Sequence, residues 1–193
     1  MKLALCGYGG HAREVAWQIN KEITFFVDDK YANDITKPIS EFNPKEYGMM
    51  VAVADSKNRA DIVNRLPKET SYFTFIHPSV IMSNNVKIGN GSFIGANSIL
   101  TTNIKLGNHT ILNRGNHIGH DSITGDYFSM MPCAIIGGNV NIGHNVYLGS
   151  GSNVKEKINI CSDATIGMNG AVVKDIITPG TYVGIPTKKL RWK

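Results

Sequence analysis

From residue 82 to residue 172, one residue class recurs at every sixth position. The series runs Met82, Ile88, Ile94, Leu100, Leu106, Leu112, Ile118, Thr124, Met130, Ile136, Ile142, Leu148, Val154, Ile160, Ile166 and Val172; fifteen of these sixteen are aliphatic or Met, and only Thr124 departs. Nine of them are followed directly by Gly. The residue two places earlier is usually small or β-branched, as at Val80, Ser98, Thr110, Ser122, Ala134, Val146 and Ser152. A period of six is neither the 3.6 of a helix nor the simple alternation of a half-buried strand. It fits a repeated unit of short strand plus turn, with the large aliphatic residue pointing inward. Three such units close one triangular coil, and coils stack at strand spacing, so about five coils make a prism roughly 25 Å tall. Asn84, Asn90, Asn97, Asn108 and Asn145 fall in the turns, where Asn tolerates positive φ and bonds locally. The register is unbroken, so no long loop interrupts the solenoid. Its flat faces and open end coils call for caps or self-association.

The chain before the repeat follows a different pattern. Residues 3–6 read as a short apolar strand, residues 12–19 as a helix with Asn20 just past its end, residues 23–27 as a second strand and residues 49–53 as a third. Asp55 is placed to cap a helix running to Leu66, with Ile62, Val63 and Leu66 on its apolar side. Residues 72–76 read as a fourth strand, closed by His77-Pro78. The expected architecture is mixed. A small α/β, Rossmann-like βαβ unit spans residues 1–76, and a parallel β-helix of hexapeptide repeats with a C-terminal tail spans residues 77–193.

Between the first strand and the first helix lies GYGGHA, which matches G-x-G-x-x-A at Gly7, Gly9 and Ala12; Asp28 and Asp29 follow the second strand. Backbone N–H groups at such a helix start favour a phosphate. The unit is about half of a full dinucleotide domain, so the pattern points to some nucleotide phosphate, with a purely structural glycine turn as the other reading. His11 lies in this loop, either against a ligand or in a local hydrogen bond. Of the six histidines, His120 stands out: it follows Ile118-Gly119, precedes Asp121 and so sits at a turn of the solenoid. A neighbouring carboxylate fixes an imidazole's tautomer and raises its basicity.

Three cysteines, Cys6, Cys133 and Cys161, are far apart and form neither a disulfide framework nor a CxxC knuckle. They read as packed residues, and no metal is expected. The net charge of +5 is scattered except for Lys188, Lys189, Arg191 and Lys193 near the C-terminus, which suits either a phosphate or a solvated tail. No apolar run approaches the roughly 18 residues that span a bilayer, and glycines interrupt the apolar N-terminus at once. The expectation is a cytoplasmic protein with no nucleic-acid or membrane partner.

The hexapeptide register, the ending VVKDIITPGTYVGIPTKKLR, and the leading GYGGHAREV with VDD together resemble one family. It is the left-handed parallel β-helix N-acetyltransferases of nucleotide-linked amino sugars, acting on the UDP-linked bacillosamine precursor, GDP-perosamine or dTDP-viosamine. The coil's hand comes from this resemblance. So does the implied activity, transfer of acetyl from acetyl-CoA to the amino group, at C4, of a dTDP-, UDP- or GDP-linked 4-amino-4,6-dideoxy sugar. The family is homotrimeric, with sites between subunits. The resemblance implies His120 as general base, Asp121 as its orienting acid and the backbone N–H of Gly138 as oxyanion donor. It puts the substrate at Gly9, Gly10, His11, Asp28, Asp29, Ala54, Asp55 and Asn113. It puts the CoA arm near Ser129, Gly149, Ser150, Gly167 and Met168, with Lys188 in the GIPTKKL close, where Thr187 replaces the family's usual Ala. Three rivals remain: O-acetylation of a sialic-acid or other sugar, a zinc hydratase on the same solenoid, and a nucleotide-binding solenoid without activity. His117 and His120 differ in phase along the repeat and face different ways, which disfavours the zinc site.

Overall fold

The computed structural model describes residues 1–191, so Lys193 of the basic tail lies outside the described residues. The N-terminal unit contains β1 (Lys2–Cys6), α1 (Gly10–Ile19), β2 (Ile23–Val27), β3 (Thr36–Pro38), β4 (Tyr47–Val51) and α2 (Ser56–Arg65). Its four strands are parallel in the order β3-β2-β1-β4. Asn20 closes α1 in the left-handed region with φ 49°. Asp55 caps α2, its carboxylate accepting the Asn58 N–H at 2.8 Å. The fourth strand of this sheet is β3, too short and proline-bearing to read from periodicity. Residues 72–76 are not that strand. Tyr72 makes one bridge to Met49, and Phe75–Ile76 then opens the first coil of the solenoid, pairing with Phe93–Ile94 of the second.

The repeat forms three parallel faces. The first carries Phe93–Ile94, Ile111–Leu112, Ser129–Met130 and Tyr147–Leu148; the second Ile99–Leu100, His117–Ile118, Ile135–Ile136 and Asn153–Val154; the third Lys105–Leu106, Ile123–Thr124, Asn141–Ile142 and Asn159–Ile160. The inward series is buried from Ile94 to Val172. Thr124 belongs to it, its hydroxyl accepting the Gly107 N–H at 3.3 Å. Only Met82 and Ile88, in the open first coil, keep exposure. The glycines after the inward residues permit this stacking. A Cβ on Gly119 would lie 2.5 Å from the Gly137 carbonyl carbon in the next coil.

The corners obey a second period of six. From Gly91 to Asn169 every sixth residue has φ between 54° and 70°, and Asn97, Asn103, Asn139, Asn145 and Asn169 share the duty with Asp121 and Asp163. Asn and Asp tolerate this region best among non-glycine residues. Asn97 and Asn145 are thus left-handed, whereas Asn108 precedes the left-handed His109 and uses its Oδ1 to accept the Asn90 N–H at 3.0 Å. From His109 onward each corner N–H donates to a carbonyl of the preceding coil, as Asn139 does to His120 at 2.7 Å, whereas those of Asn97 and Asn103 donate to Ser79 Oγ and Asn85 Oδ1.

The N-terminal unit covers the outside of the first face. Leu5, Val15, Ile19 and Met50 form one apolar cluster with Phe93, Ile111 and Met131 of the coil. The second face stays open, with Ile81 66% and Ile135 41% exposed. Two histidines are trapped under the N-terminal unit. His109 stacks on Tyr127 at 5.2 Å and meets Tyr72 edge-on at 4.6 Å; His11 lies edge-on to Phe93 at 6.3 Å. His109 Nδ1 and His11 Nε2 are buried without a hydrogen-bond partner. Burial, with the nearby Arg59 charge, pulls each imidazole from 6.5 down to about 4. Between those values the unfolded chain binds the proton and the folded chain does not. Stability contributed by these rings is present above about pH 6.5 and lost as the pH falls toward 4, on the order of 3 kcal/mol for each ring. Urea unfolding at pH 7.5 and pH 4.5 is expected to show a smaller acid loss in His109→Asn than in wild type, since Asn accepts the left-handed corner and does not titrate. Equal losses in the two proteins would remove His109 as a source.

Candidate functional site

Successive coils place residues eighteen apart on one corner column, as Ser122 and Val140 are. His120 and Gly138 therefore stack at the corner after the second face. His120 Nδ1 lies 2.7 Å from Asp121 Oδ2. A carboxylate only accepts, so Nδ1–H is the donor and Nε2 is the open basic atom. Asn103 Nδ2, one coil earlier, donates to Asp121 Oδ1 at 3.0 Å. Hydrogen bonds from His120 and Asn103 hold the Asp121 carboxyl below the usual carboxylate range. The imidazole remains 56% exposed. It lies where Gly138 lacks a side chain, since a Cβ there would fall 2.6 Å from Nε2. At the corner after the third face, the matching N–H groups of Asn90, Asn108 and His144 are capped by side chains one coil on. Among the described residues no acceptor takes the Gly138 N–H. Asn103 was not foreseen, although its place one coil before Asp121 follows from the eighteen-residue period.

Asn113, Gly149 and Gly167 share one column and Ser150 and Met168 the next, both at the corner after the first face. Asn113 is buried, and its Oδ1 accepts the Arg114 N–H at 2.8 Å. One chain therefore does not bring Asn113 to His120. The Ser150 and Met168 N–H groups find no acceptor among the described residues, and the Met168 side chain is 76% exposed. Open N–H groups along an exposed corner suit the amide carbonyls of an extended pantetheine arm. Lys188 lies elsewhere, lining a cavity of about 250 Å³ with Lys174, Asp175 and Tyr182. Ser129, expected at the CoA arm, is fully buried beneath α2. Its hydroxyl donates to the Ala54 carbonyl at 2.8 Å and accepts from Arg59 at 2.8 Å. Its position on the first face, which the N-terminal unit covers, rules out that contact.

The glycine loop opens onto two adjoining cavities. One, of about 370 Å³, is lined by Gly7, Tyr8, Gly9, Asp28, Tyr31, Asn33, Thr36 and Val53. The other, of about 720 Å³, is lined by Asp28, Asp29, Lys30, Ser40, Phe42 and Arg65 among others. Asp28 pairs with Arg65 at 3.1 Å between them. Ser40 donates its N–H to Asp29 Oδ1 at 3.1 Å, and hydrogen bonds from Ser40 hold that carboxyl low. Gly7 needs its φ of 109°. A Cβ at Gly9 or Gly10 would meet nothing within 4 Å, so open space lies over the start of α1, which has no side-chain cap and no acidic residue in its first turn. That combination favours an anion. Cys6 lines both cavities, but burial pushes its thiol up to about 12. His11 turns toward the coil instead. Ala54 and Asp55 also line neither cavity, the one bonding Ser129 and Arg59 and the other capping α2. Tyr31, Asn33 and Thr36 were missed because β3 and the turn before it carry no periodic signal, and Tyr8 and Arg65 because in the glycine loop and at the end of α2 nothing in the sequence sets them toward a cavity.

Among the described residues no group of His, Cys, Asp or Glu could hold a metal ion, and no helix is long and apolar enough to cross a membrane.

The family model described as the PglD N-terminal domain matches residues 2–66. A probable UDP-3-O-acylglucosamine N-acyltransferase 2 of Arabidopsis thaliana mitochondria is 32% identical over 106 residues, covering 53% of the chain; the match spans 35% of that relative's length. The GDP-perosamine N-acetyltransferase of Escherichia coli is 27% identical over 174 residues, 79% of this chain and 77% of that one. The solved acetyltransferase domain of PglB from Neisseria gonorrhoeae superposes with a TM-score of 0.89 at 26% identity, over 98% of this chain and 99% of that chain. That domain has also been solved in complex with acetyl coenzyme A. With an α/β unit followed by a left-handed hexapeptide-repeat solenoid, the chain is similar over nearly its whole length to sugar N-acetyltransferases.

Proposed function

We propose that the protein transfers the acetyl group of acetyl-CoA to the amino group, at C4, of a nucleotide-linked 4-amino-4,6-dideoxy sugar. The observation that carries this reading is the second corner itself. His120 is oriented by Asp121, leaves Nε2 open, and stands over a glycine whose N–H is unspent. The relatives' names support the class of substrate, and the acetyl coenzyme A complex of the Neisseria domain supports the donor.

His120 Nε2 removes a proton from the sugar amine as its nitrogen attacks the thioester carbonyl. A C–N bond forms, the C–S bond breaks, and the thiolate leaves and takes up a proton. The Gly138 N–H stabilises the negative charge that develops on the carbonyl oxygen, a contribution of roughly 3 to 4 kcal/mol for such a donor. Attack is direct, and the Cys6 thiol is held too high to act as a nucleophile. The glycine loop, Asp28 and Asp29 hold the nucleotide. Gly149, Ser150, Gly167 and Met168 hold the pantetheine arm, and Lys188 meets a CoA phosphate. The protein works as a cytoplasmic homotrimer. Packing through the open, Ile-bearing second face puts the CoA corner of one subunit against the His120 corner of the next and brings Asn113 of a neighbour toward the acetyl group.

The test is a mass-spectrometric assay with acetyl-CoA and a panel of UDP-, dTDP- and GDP-linked 4-amino sugars. The expected result is a single added acetyl on one of them, with thiol release. Acetyl on a hydroxyl, or on none of the panel while CoA still binds, would overturn the reading.

A further inference from the structure

Arg59 is fully buried, yet among the described residues no carboxylate lies within ion-pair distance of it. All its nitrogens donate. Nη1 donates to the carbonyls of Val53 at 2.6 Å and Ala54 at 3.1 Å. Nε donates to His109 O at 2.8 Å. The two N–H groups of Nη2 serve three acceptors, Tyr127 O at 2.8 Å, Ser129 Oγ at 2.8 Å and, by a shared hydrogen, Phe128 O at 3.1 Å. The acceptors fall in two sets. Val53 and Ala54 follow β4, and Val53 lines the cavity beside the glycine loop. The others lie on two successive coils of the solenoid. A planar guanidinium fixes both sets in one plane, which a Lys cannot do.

Stability does not account for this residue. A cation out of water is costly, and an apolar side chain of similar size is often neutral or better. What the fork supplies is direction. It joins the wall of the loop cavity to left-handed corners of the coil, whose carbonyls would otherwise be buried unpaired. We propose that Arg59 is a positioning residue that keys the N-terminal unit to the solenoid and so fixes the nucleotide-holding cavity relative to the His120 and CoA corners. This rests on the reading of that cavity as the acceptor's nucleotide site. Acetyl transfer depends on the reacting atoms being held within about an ångström, and a small rotation of the holder costs rate rather than binding.

Arg59→Met in the full chain tests this with two readouts. The first is kinetic. The acceptor kcat is expected to fall tenfold or more, while CoA and the free nucleoside diphosphate bind within threefold of wild type by calorimetry. The second is hydrogen exchange, expected to rise together in residues 49–66 and 109–131 and not in the C-terminal coils. Turnover within twofold of wild type, unchanged exchange, or a kcat loss matched by lost CoA and nucleotide binding overturns the proposal. If wild type acetylates nothing in the panel, the functional reading fails, and the exchange readout alone decides the keying. Should Arg59→Met not fold, Ser129→Ala deletes one coil-side acceptor and carries both readouts with a smaller shift, judged the same way.

Discussion

His120→Asn is expected to lower kcat by roughly 10²- to 10⁴-fold, the range for loss of a general base, with CoA affinity and thermal stability close to wild type. The side chain is 56% exposed, and its one side-chain partner is the neighbouring Asp121, so truncating the ring leaves the prism intact. Asn can still reach Asp121 but offers no basic nitrogen where Nε2 stood. Steady-state kinetics with the acceptor found in the panel would check this. Near wild-type turnover would remove His120 as the base.

Gly138→Ala is expected to cost about 10²-fold or more in kcat, the scale of an ångström-sized misplacement. The added Cβ would sit 2.6 Å from His120 Nε2 and 2.7 Å from Cε1. The imidazole has to swing away and break its 2.7 Å bond to Asp121. Backbone strain is not the cause, because Gly138 is not among the residues with positive φ. The corner is at the surface, so the melting temperature should hardly move, and CoA should bind as before. Turnover within twofold of wild type would show that the closeness of Gly138 and His120 plays no part in the reaction.

Much of the solenoid was legible in the sequence because its period is written in side chains. The inward aliphatic series predicts the buried column from Ile94 to Val172, and the same register separates His120 from the core. What was not legible depends on contacts that no period encodes. That the first face is covered could not be read from Phe93 and Ile111, which resemble the open Ile81 and Ile135 in type. The same cover turned Ser129 from an expected CoA contact into a buried partner of Arg59. β3 went unseen because three residues ending in Pro carry no alternation. The buried Arg59 was equally hidden, since in α2 it reads as an exposed charge. Asn113 was assigned to the substrate by resemblance alone, and within one chain the coil geometry puts it at a different corner from His120.

The His120–Gly138 pairing spans adjacent storeys of the prism, and this limits how the chain can change length. Adding or deleting one six-residue unit between these positions would rotate everything downstream by a full side, carrying the glycine to a different edge from the imidazole. Even a whole extra storey there would lift it out of reach. Growth or shrinkage of the tower is compatible with the chemistry only above or below that pair of floors.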